Sequence, residues 1–326
     1  MSTVSNVLNN PHVVSEDTRR RVQEAMAAIG YVRNGAARQL RGAPSIMVGC
    51  VLLDSANPFF AEVARGMEDR LAEAGCMPIV CSTDVRVERE TRYLHMLEEL
   101  GVRGVLLTPV SSRLDAAVAL SRRGTPVVLV DHPRAGAKVC AVTVDDVRGG
   151  ELAVRHLIGL GHRRIALLCA EAGVPSVLAR ADGVRRGFAA AGLGPSAALT
   201  EVPVPQPAGV DEAEAAVEPL LATVPRPTAV VCFNDMAAIG VMRGLRVSGV
   251  DVPGQLSVLG YDDVVFAAQL APALTTIRQP THELGRAAAE LLLAEGRPGH
   301  RHRELTFTPE LVVRGSTAPP IEMHPS

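Results

Sequence analysis

No apolar run in the chain reaches the roughly 18 uninterrupted residues that a membrane-spanning helix needs, which excludes a helical membrane anchor. The start, Met1-Ser2-Thr3-Val4-Ser5-Asn6, carries neither a basic nor an apolar leader region. Export through a signal peptide is therefore not expected, and the chain is placed in the cytoplasm. The six cysteines, Cys50, Cys76, Cys81, Cys140, Cys169 and Cys232, lack C-x-x-C spacing and lie mostly within apolar runs. That pattern argues against a zinc cluster or redox centre and for buried, inert thiols. No G-x-S-x-G elbow, Walker loop or H-E-x-x-H helix occurs, so no catalytic residue, cofactor or metal is nominated. His300-Arg301-His302 has the look of a metal motif, but it follows Pro298-Gly299 in a basic stretch and reads as a solvated turn. Tryptophan is absent and aromatics make up 3% of the chain, which makes the adjacent rings of Phe59 and Phe60 conspicuous.

What is present is the composition of an ordinary globular protein, with 47% hydrophobic and 21% charged residues over 326 positions. That length suits two or three domains with large cores. The net charge of −2 conceals an asymmetry: residues 1–44 carry six arginines against three acids, and the remainder is acidic. A basic end on an acidic body suggests a small polyanion-binding module attached to a larger domain.

From Ile46 onward, short β-branched runs alternate with amphipathic stretches at helical spacing. The expected strands are Ile46–Leu53, Met77–Cys81, Gly104–Thr108, Pro126–Asp131, Ala141–Val144, Arg164–Cys169, Thr228–Cys232 and Leu256–Gly260. Several are continuous apolar runs, as in strands covered on both faces. Helices are expected between them, including Phe59–Ala74, Arg86–Leu100, Gly149–Leu160, Ala179–Ala191, Asp211–Thr223 and Met236–Ser248. Right-handed crossovers make this an α/β doubly wound architecture. About 270 such residues exceed what one open sheet of this kind usually holds, so two lobes are expected, divided near Asp145. The first spans about 45–144 and 277–302, the second about 145–275 and 303–318, with 319–326 a tail.

Residues 1–33 show no strand pattern. A short helix (Thr3–Leu8) is followed by one that Ser15 can cap, with Val22, Met26 and Ile29 as its apolar stripe and Gly30 as its stop. A third short helical piece (Asn34–Leu40) and the linker-like Gly42-Ala43-Pro44 make up residues 34–44.

The string Thr3-Val4-Ser5-Asn6-Val7-Leu8-Asn9, then Val14-Ser15, Thr18-Arg19, Gly30-Tyr31, Asn34 and Ala37-Arg38-Gln39-Leu40, closely resembles the DNA-binding headpiece of LacI/GalR-family transcriptional regulators. Asn57-Pro58-Phe59-Phe60, Gly161-His162-Arg163-Arg164-Ile165, Arg180 with Gly183, Asn234-Asp235, Gly260-Tyr261-Asp262-Asp263, Leu274-Thr275-Thr276-Ile277 and Leu311-Val312-Val313-Arg314-Gly315-Ser316-Thr317 continue that resemblance over essentially the whole chain. It implies two periplasmic-binding-protein-like lobes behind a partial all-α helix-turn-helix headpiece. In that family a further helix and turn precede this string, so the chain is expected to begin inside the recognition helix and the native protein to extend upstream of Met1. The position after Gly183, aromatic in the family, is Val184.

The resemblance implies that Ser2, Thr3, Ser5 and Asn6 meet base edges and phosphates, where short hydroxyl and amide groups read DNA at close range. Asn9, Arg19 and Tyr31 are implied phosphate contacts. Asn34, Ala37, Arg38 and Leu40 match the hinge helix, with Leu40 either a wedge between base pairs in the minor groove or a linker leucine packing on its own domain. An effector cleft is expected between the lobes at the C-terminal ends of strands. Phe59 and Phe60 could pack on a ligand face there or serve as core. Asp131 and Asp145 each end a buried strand, as ligand acceptors or helix caps. Arg180 matches the family arginine that forks two hydrogen bonds to a ligand. Asn234 and Asp262 offer acceptors for hydroxyl groups, although Asp263 could replace Asp262 in the capping role.

The implied function is a ligand-responsive DNA-binding repressor, not an enzyme, working as a homodimer or tetramer on operator DNA with a sugar or related metabolite as effector. The alternative is a small-molecule sensor of the same fold that has lost DNA binding through truncation.

Overall fold

The computed structural model describes residues 3–31, 45–170, 173–192, 199–205, 208–297 and 299–321. The chain forms two units, Met1–Ser45 and Ile46–Ser326. In the first, helix α1 (Thr3–Asn9) and a 3-10 turn (Pro11–Val13) precede α2 (Glu16–Ala28). Ser15 Oγ accepts a hydrogen bond from the Thr18 amide, as the N-cap reading requires. Gly30 ends this segment in the left-handed region at φ +60°, where a side chain would be strained. Val7 is buried, and Val22 and Met26 are half-buried. Ile29, expected in the same stripe, is exposed, because α2 ends at Ala28 and Ile29 turns away as its C-cap. The third helical piece expected over 34–40 lies outside the described residues.

The second unit contains two six-stranded sheets. The first lobe alternates β1 (Met47–Leu52), α3 (Pro58–Glu73), β2 (Met77–Ser82), α4 (Val87–Glu99), β3 (Val105–Leu107), α5 (Asp115–Arg122), β4 (Val127–Val130) and β5 (Cys140–Val144). The second is built from α6 (Asp146–Gly159), β6 (Ile165–Ala170), α7 (Pro175–Ala190), β7 (Leu199–Val204), α8 (Val210–Ala215), α9 (Val217–Ala222), β8 (Ala229–Val231), α10 (Asp235–Val247), β9 (Ser257–Asp262) and β10 (Thr275–Arg278). The chain then returns to the first lobe as α11 (Thr281–Ala294) and β11 (Glu304–Phe307), and crosses back for β12 (Glu310–Val312). The sheet orders are β11-β5-β4-β3-β1-β2 and β12-β10-β9-β8-β6-β7, parallel except for the pairing of β12 with β10. β1, β3, β4 and β5 are buried almost throughout, which is why they read as unbroken apolar runs.

Four strands escaped the sequence pattern: β7, β10, β11 and β12. β7, β11 and β12 are sheet edges, where one side stays wet and polar residues or Pro203 are tolerated. Two expected lobe limits are corrected as a result. Thr275–Arg278 pairs with β9 and stays wholly in the second lobe, while Glu304–Phe307 pairs with β5 and belongs to the first. Which sheet so short a strand joins depends on neighbours distant in sequence, a choice its own residues do not encode. The stretch expected as one helix over 211–223 is likewise two, α8 and α9.

Several motif residues turn out to be structural. The His162 ring nitrogens lie 2.9 Å from Thr228 Oγ1 and 2.9 Å from the Ala318 carbonyl, tying the C-terminal segment to the second sheet. Ser316 Oγ donates to the Val258 carbonyl and accepts from the Thr275 amide. Val184 is buried beside Phe188 and Tyr261 and fills core.

Candidate functional site

Helices α6 and α7 cross at backbone contact. A side chain at Gly150 would meet the Arg180 carbonyl at 2.1 Å, and one at Gly183 would meet the Val147 carbonyl at 2.0 Å. This close approach sets Arg180 of α7 against Asp146 in the first turn of α6. Arg180 Nε donates to Asp146 Oδ1 at 2.8 Å, and Nη1 donates to the Phe233 carbonyl at 2.8 Å. Nη1 also lies 3.7 Å from Asp262 Oδ1, and the guanidinium stacks 3.8 Å above the Tyr261 ring. The ring fits there because Gly149 has no side chain; a Cβ would fall 2.0 Å from the Tyr261 hydroxyl.

Two strand ends face this arginine from opposite lobes. Asp131 follows β4 with φ +54°, and Asp262 closes β9 with φ +118°. Such conformations are uncommon outside glycine and cluster at sites that need a side chain re-aimed. Gln279 Nε2 donates to Asp262 Oδ1 at 2.7 Å, whereas Asp131 Oδ1 is buried with no protein partner. Asp263, the alternative acid, instead pairs with Arg278 and Arg314. Burial, followed by repulsion from Asp146, pushes the Asp131 carboxyl up to about 8 against the pull of Arg180. Burial raises Asp262 to about 7 despite Arg180, and it raises Asp146 as well. One fixed cation thus serves several desolvated acids, whose burial favours the protonated form.

Asp131, Arg180, Phe233 and Asp262 line a cavity of about 720 Å³ between the lobes. Phe59, Phe60, Asp131, Arg180, Asn234 and Asp262, all nominated from sequence, are brought together there. Phe59 and Phe60 meet edge to face with centroids 4.9 Å apart; both are buried, so they are core and cavity wall at once. Asn57 Oδ1 accepts from the Phe59 amide at 3.0 Å and starts α3, which fixes the rings at the cavity floor. Asn234 Oδ1 caps α10 through the Ala237 amide at 2.8 Å.

Asp145 is the exception. It is exposed, absent from the lining, and accepts from the Arg148 amide at 2.9 Å as the N-cap of α6. The buried role belongs to its neighbour Asp146, because a helix places cap and first-turn residues on different sides. Asp54, Asp84, Arg86 and Ser176 also line the cavity and were not anticipated. Left-handed backbone at Asp84 and Val85 (φ +50° and +58°) carries no sequence signature such as glycine. Asp235, fully buried, accepts from Thr276 Oγ1 and the Val264 amide and braces the second sheet without reaching the cavity.

Of the nominated DNA contacts, Thr3 is exposed and Ser5 and Asn6 half-buried on α1, with Thr3 and Asn6 one turn apart on the same face. Arg19 is half-buried 3.7 Å from Glu16, and Tyr31 is exposed. Ser2, Asn34, Ala37, Arg38, Leu40 and the Asn9 side chain lie outside the described residues. Of the expected solvated turn at 300–302, Arg301 and His302 are exposed, whereas His300 is a correction and packs against Cys140 and Glu295.

Residues 1–34 match the bacterial regulatory proteins of the lacI family, and residues 154–317 match the periplasmic binding protein-like domain. The HTH-type transcriptional regulator DegA of Bacillus subtilis is 32% identical, with 98% of this chain and 95% of the relative covered. A LacI family transcriptional regulator from Enterococcus faecium, solved with bound ribose, superposes with a TM-score of 0.77 at 32% identity, over 84% of this chain and 99% of that one. The lac repressor dimer bound to operator and an anti-inducer superposes with a TM-score of 0.83 at 27% identity, over 97% and 94%. No helix among the described residues is long and apolar enough to cross a membrane. With both segments matched and a relative aligned along nearly its whole length, the chain belongs to the LacI family of bacterial transcriptional regulators.

Proposed function

We propose that this protein is a ligand-responsive transcriptional repressor whose operator affinity is set by a small polyhydroxylated effector, a sugar, held between its two lobes. The observation that carries the effector class is the cavity chemistry. Asp131 presents a buried, unpartnered acceptor, Asp262 and Arg180 stand across from it, and the Phe59–Phe60 pair forms an apolar wall. Vicinal hydroxyls satisfy such acceptors and donors while the less polar ring face lies on aromatic carbon. The relative solved with ribose supports the sugar assignment.

Ligand bound to both lobes favours one lobe angle, and the three chain crossings, after β5, after β10 and between β11 and β12, carry that angle. Hinge residues 34–44 pass it to the headpiece. The coupling is reciprocal, so operator DNA shifts effector affinity by the same factor. A cytoplasmic homodimer fits this reading, since paired headpieces read palindromic half-sites. The lac repressor dimer on its operator supports that assembly. The role is binding, not catalysis, as the relatives named as regulators support.

The test is a fluorescence-anisotropy titration of the gene's own upstream DNA at fixed salt, with and without ribose and a panel of other sugars. A sugar-dependent change in affinity is expected. Absence of DNA binding in every condition, with sugar binding retained, would favour the non-DNA sensor instead.

A further inference from the structure

We propose that Cys140, Glu295, His300 and His302 form a four-ligand site for a zinc-like divalent cation in the first lobe, separate from the effector cavity. The four come from three places in the fold. Cys140 opens β5, Glu295 is the C-cap of α11, and the histidines lie on the connection from α11 into β11. None of them lines the effector cavity.

One potential ligand atom from each residue lies within 4.8 Å of all the others, and this is the one such cluster among the described residues. His300 Nε2 and His302 Nδ1 are 3.1 and 3.3 Å from the same Glu295 Oε1, and Cys140 Sγ is 3.4 Å from His300 Nε2. Zinc bonds of about 2.0–2.3 Å at tetrahedral angles put neighbouring ligand atoms roughly 3.3–3.6 Å apart. These three separations are close to that, and the remaining pairs lie within 4.8 Å. The Glu295 carboxylate faces the Cys140 thiol and both imidazoles, so thiol, imidazoles and carboxylate converge on one point. A cation at the centre satisfies all four donors together.

The ligands sit on anchored backbone. Ala141 N donates to the Arg303 carbonyl at 3.0 Å, and Arg134 Nη1 donates to the His302 carbonyl at 3.2 Å. His300 N donates to the Arg297 carbonyl at 3.1 Å. A thiolate, two imidazoles and a carboxylate select zinc over magnesium or calcium, and four protein ligands leave no open position, as in structural sites. On binding, the Cys140 thiol releases its proton to solvent and the thiolate takes the metal. The ion would then tie the end of α11 to the start of β5 and the lead into β11, just before the chain crosses to the second lobe.

The test uses the full chain without a polyhistidine tag, stripped with chelator and titrated with Zn²⁺ against a chromophoric competitor, and separately with Co²⁺ followed by visible and near-ultraviolet absorption. One equivalent of Zn²⁺ should bind, and Co²⁺ should give tetrahedral d–d bands with a thiolate charge-transfer band. Cys140→Ser and His300→Ala should each weaken Zn²⁺ binding by at least about 100-fold. Cys169→Ser, in the other lobe, should bind as the parent does. Should either ligand variant fail to fold, the Co²⁺ spectrum of the parent decides alone. Absence of the thiolate band, or Zn²⁺ affinity unchanged in folded Cys140→Ser and His300→Ala, would overturn the site and leave a hydrogen-bonded cluster.

Discussion

Arg180 and Asp146 are joined from Nε to Oδ1 at 2.8 Å, at a helix crossing held at backbone contact by Gly150 and Gly183. The Phe233 carbonyl holds a second nitrogen of the same guanidinium. The arginine is therefore oriented before any ligand arrives, and its partner is as important as itself. Removing one member of a buried pair strands the other charge, at about 3–5 kcal/mol. Asp146→Ala should lower stability by that order in chemical denaturation and weaken effector binding at least tenfold by calorimetry. A small stability change would mean that water compensates Arg180.

Asp131 supplies a pH signature. Its carboxyl is pushed up to about 8 by burial, against about 3.9 in an unfolded chain, so folding takes up a proton between those values. Stability from this group accordingly falls as pH rises through that window and levels off above it. Asp262, raised to about 7, acts in the same direction. Thermal melts from about pH 6 to pH 9 should show a shallower decline for Asp131→Asn than for the parent, with the variant relatively more stable at the alkaline end. The same variant should bind effector at least tenfold more weakly, a trade of function for stability common at binding sites.

Gly183 tests the crossing itself. Alanine there would place Cβ 2.0 Å from the Val147 carbonyl, a backbone atom that cannot swing aside. Gly183→Ala should cost about 1–3 kcal/mol and displace Arg180, weakening effector binding as well. Gly159→Ala, at the end of α6, meets nothing within 4 Å and should be neutral or stabilising by up to about 1 kcal/mol. Equal melting temperatures for the two variants would show that the helices separate freely.

Leu40 addresses the DNA side. As a wedge between base pairs it would kink the duplex, offsetting a few kcal/mol of unstacking with added contacts. Leu40→Ala should weaken operator binding with little change in effector affinity measured without DNA. Operator binding equal to the parent's would make Leu40 an ordinary linker residue.

Much of the effector site was legible because strand ends in parallel sheets announce themselves. Asp131 and Asp262 end apolar runs, and Phe59-Phe60 is a rare aromatic pair at the start of a helix. Asp145 and Asp146 could not be separated this way. Both are acids at one helix start, and the one that buries was chosen by Arg180, thirty-four positions away. His300 read as part of a solvated turn for the same reason, since Cys140, 160 residues distant, is invisible to local pattern.

Alternation of apolar runs with helical spacing determined the two-lobed α/β body, and the Ser15 cap and Gly30 stop determined the helix before the hinge. These are local properties: backbone conformation, capping and one-sided burial are set within a few residues of chain. Tertiary structure decided the rest: which lobe receives the short strands β10, β11 and β12, which aspartate meets Arg180, and where a thiol finds two imidazoles. Each depends on groups brought together from distant sequence, where desolvation and close packing strengthen interactions that local pattern does not reveal.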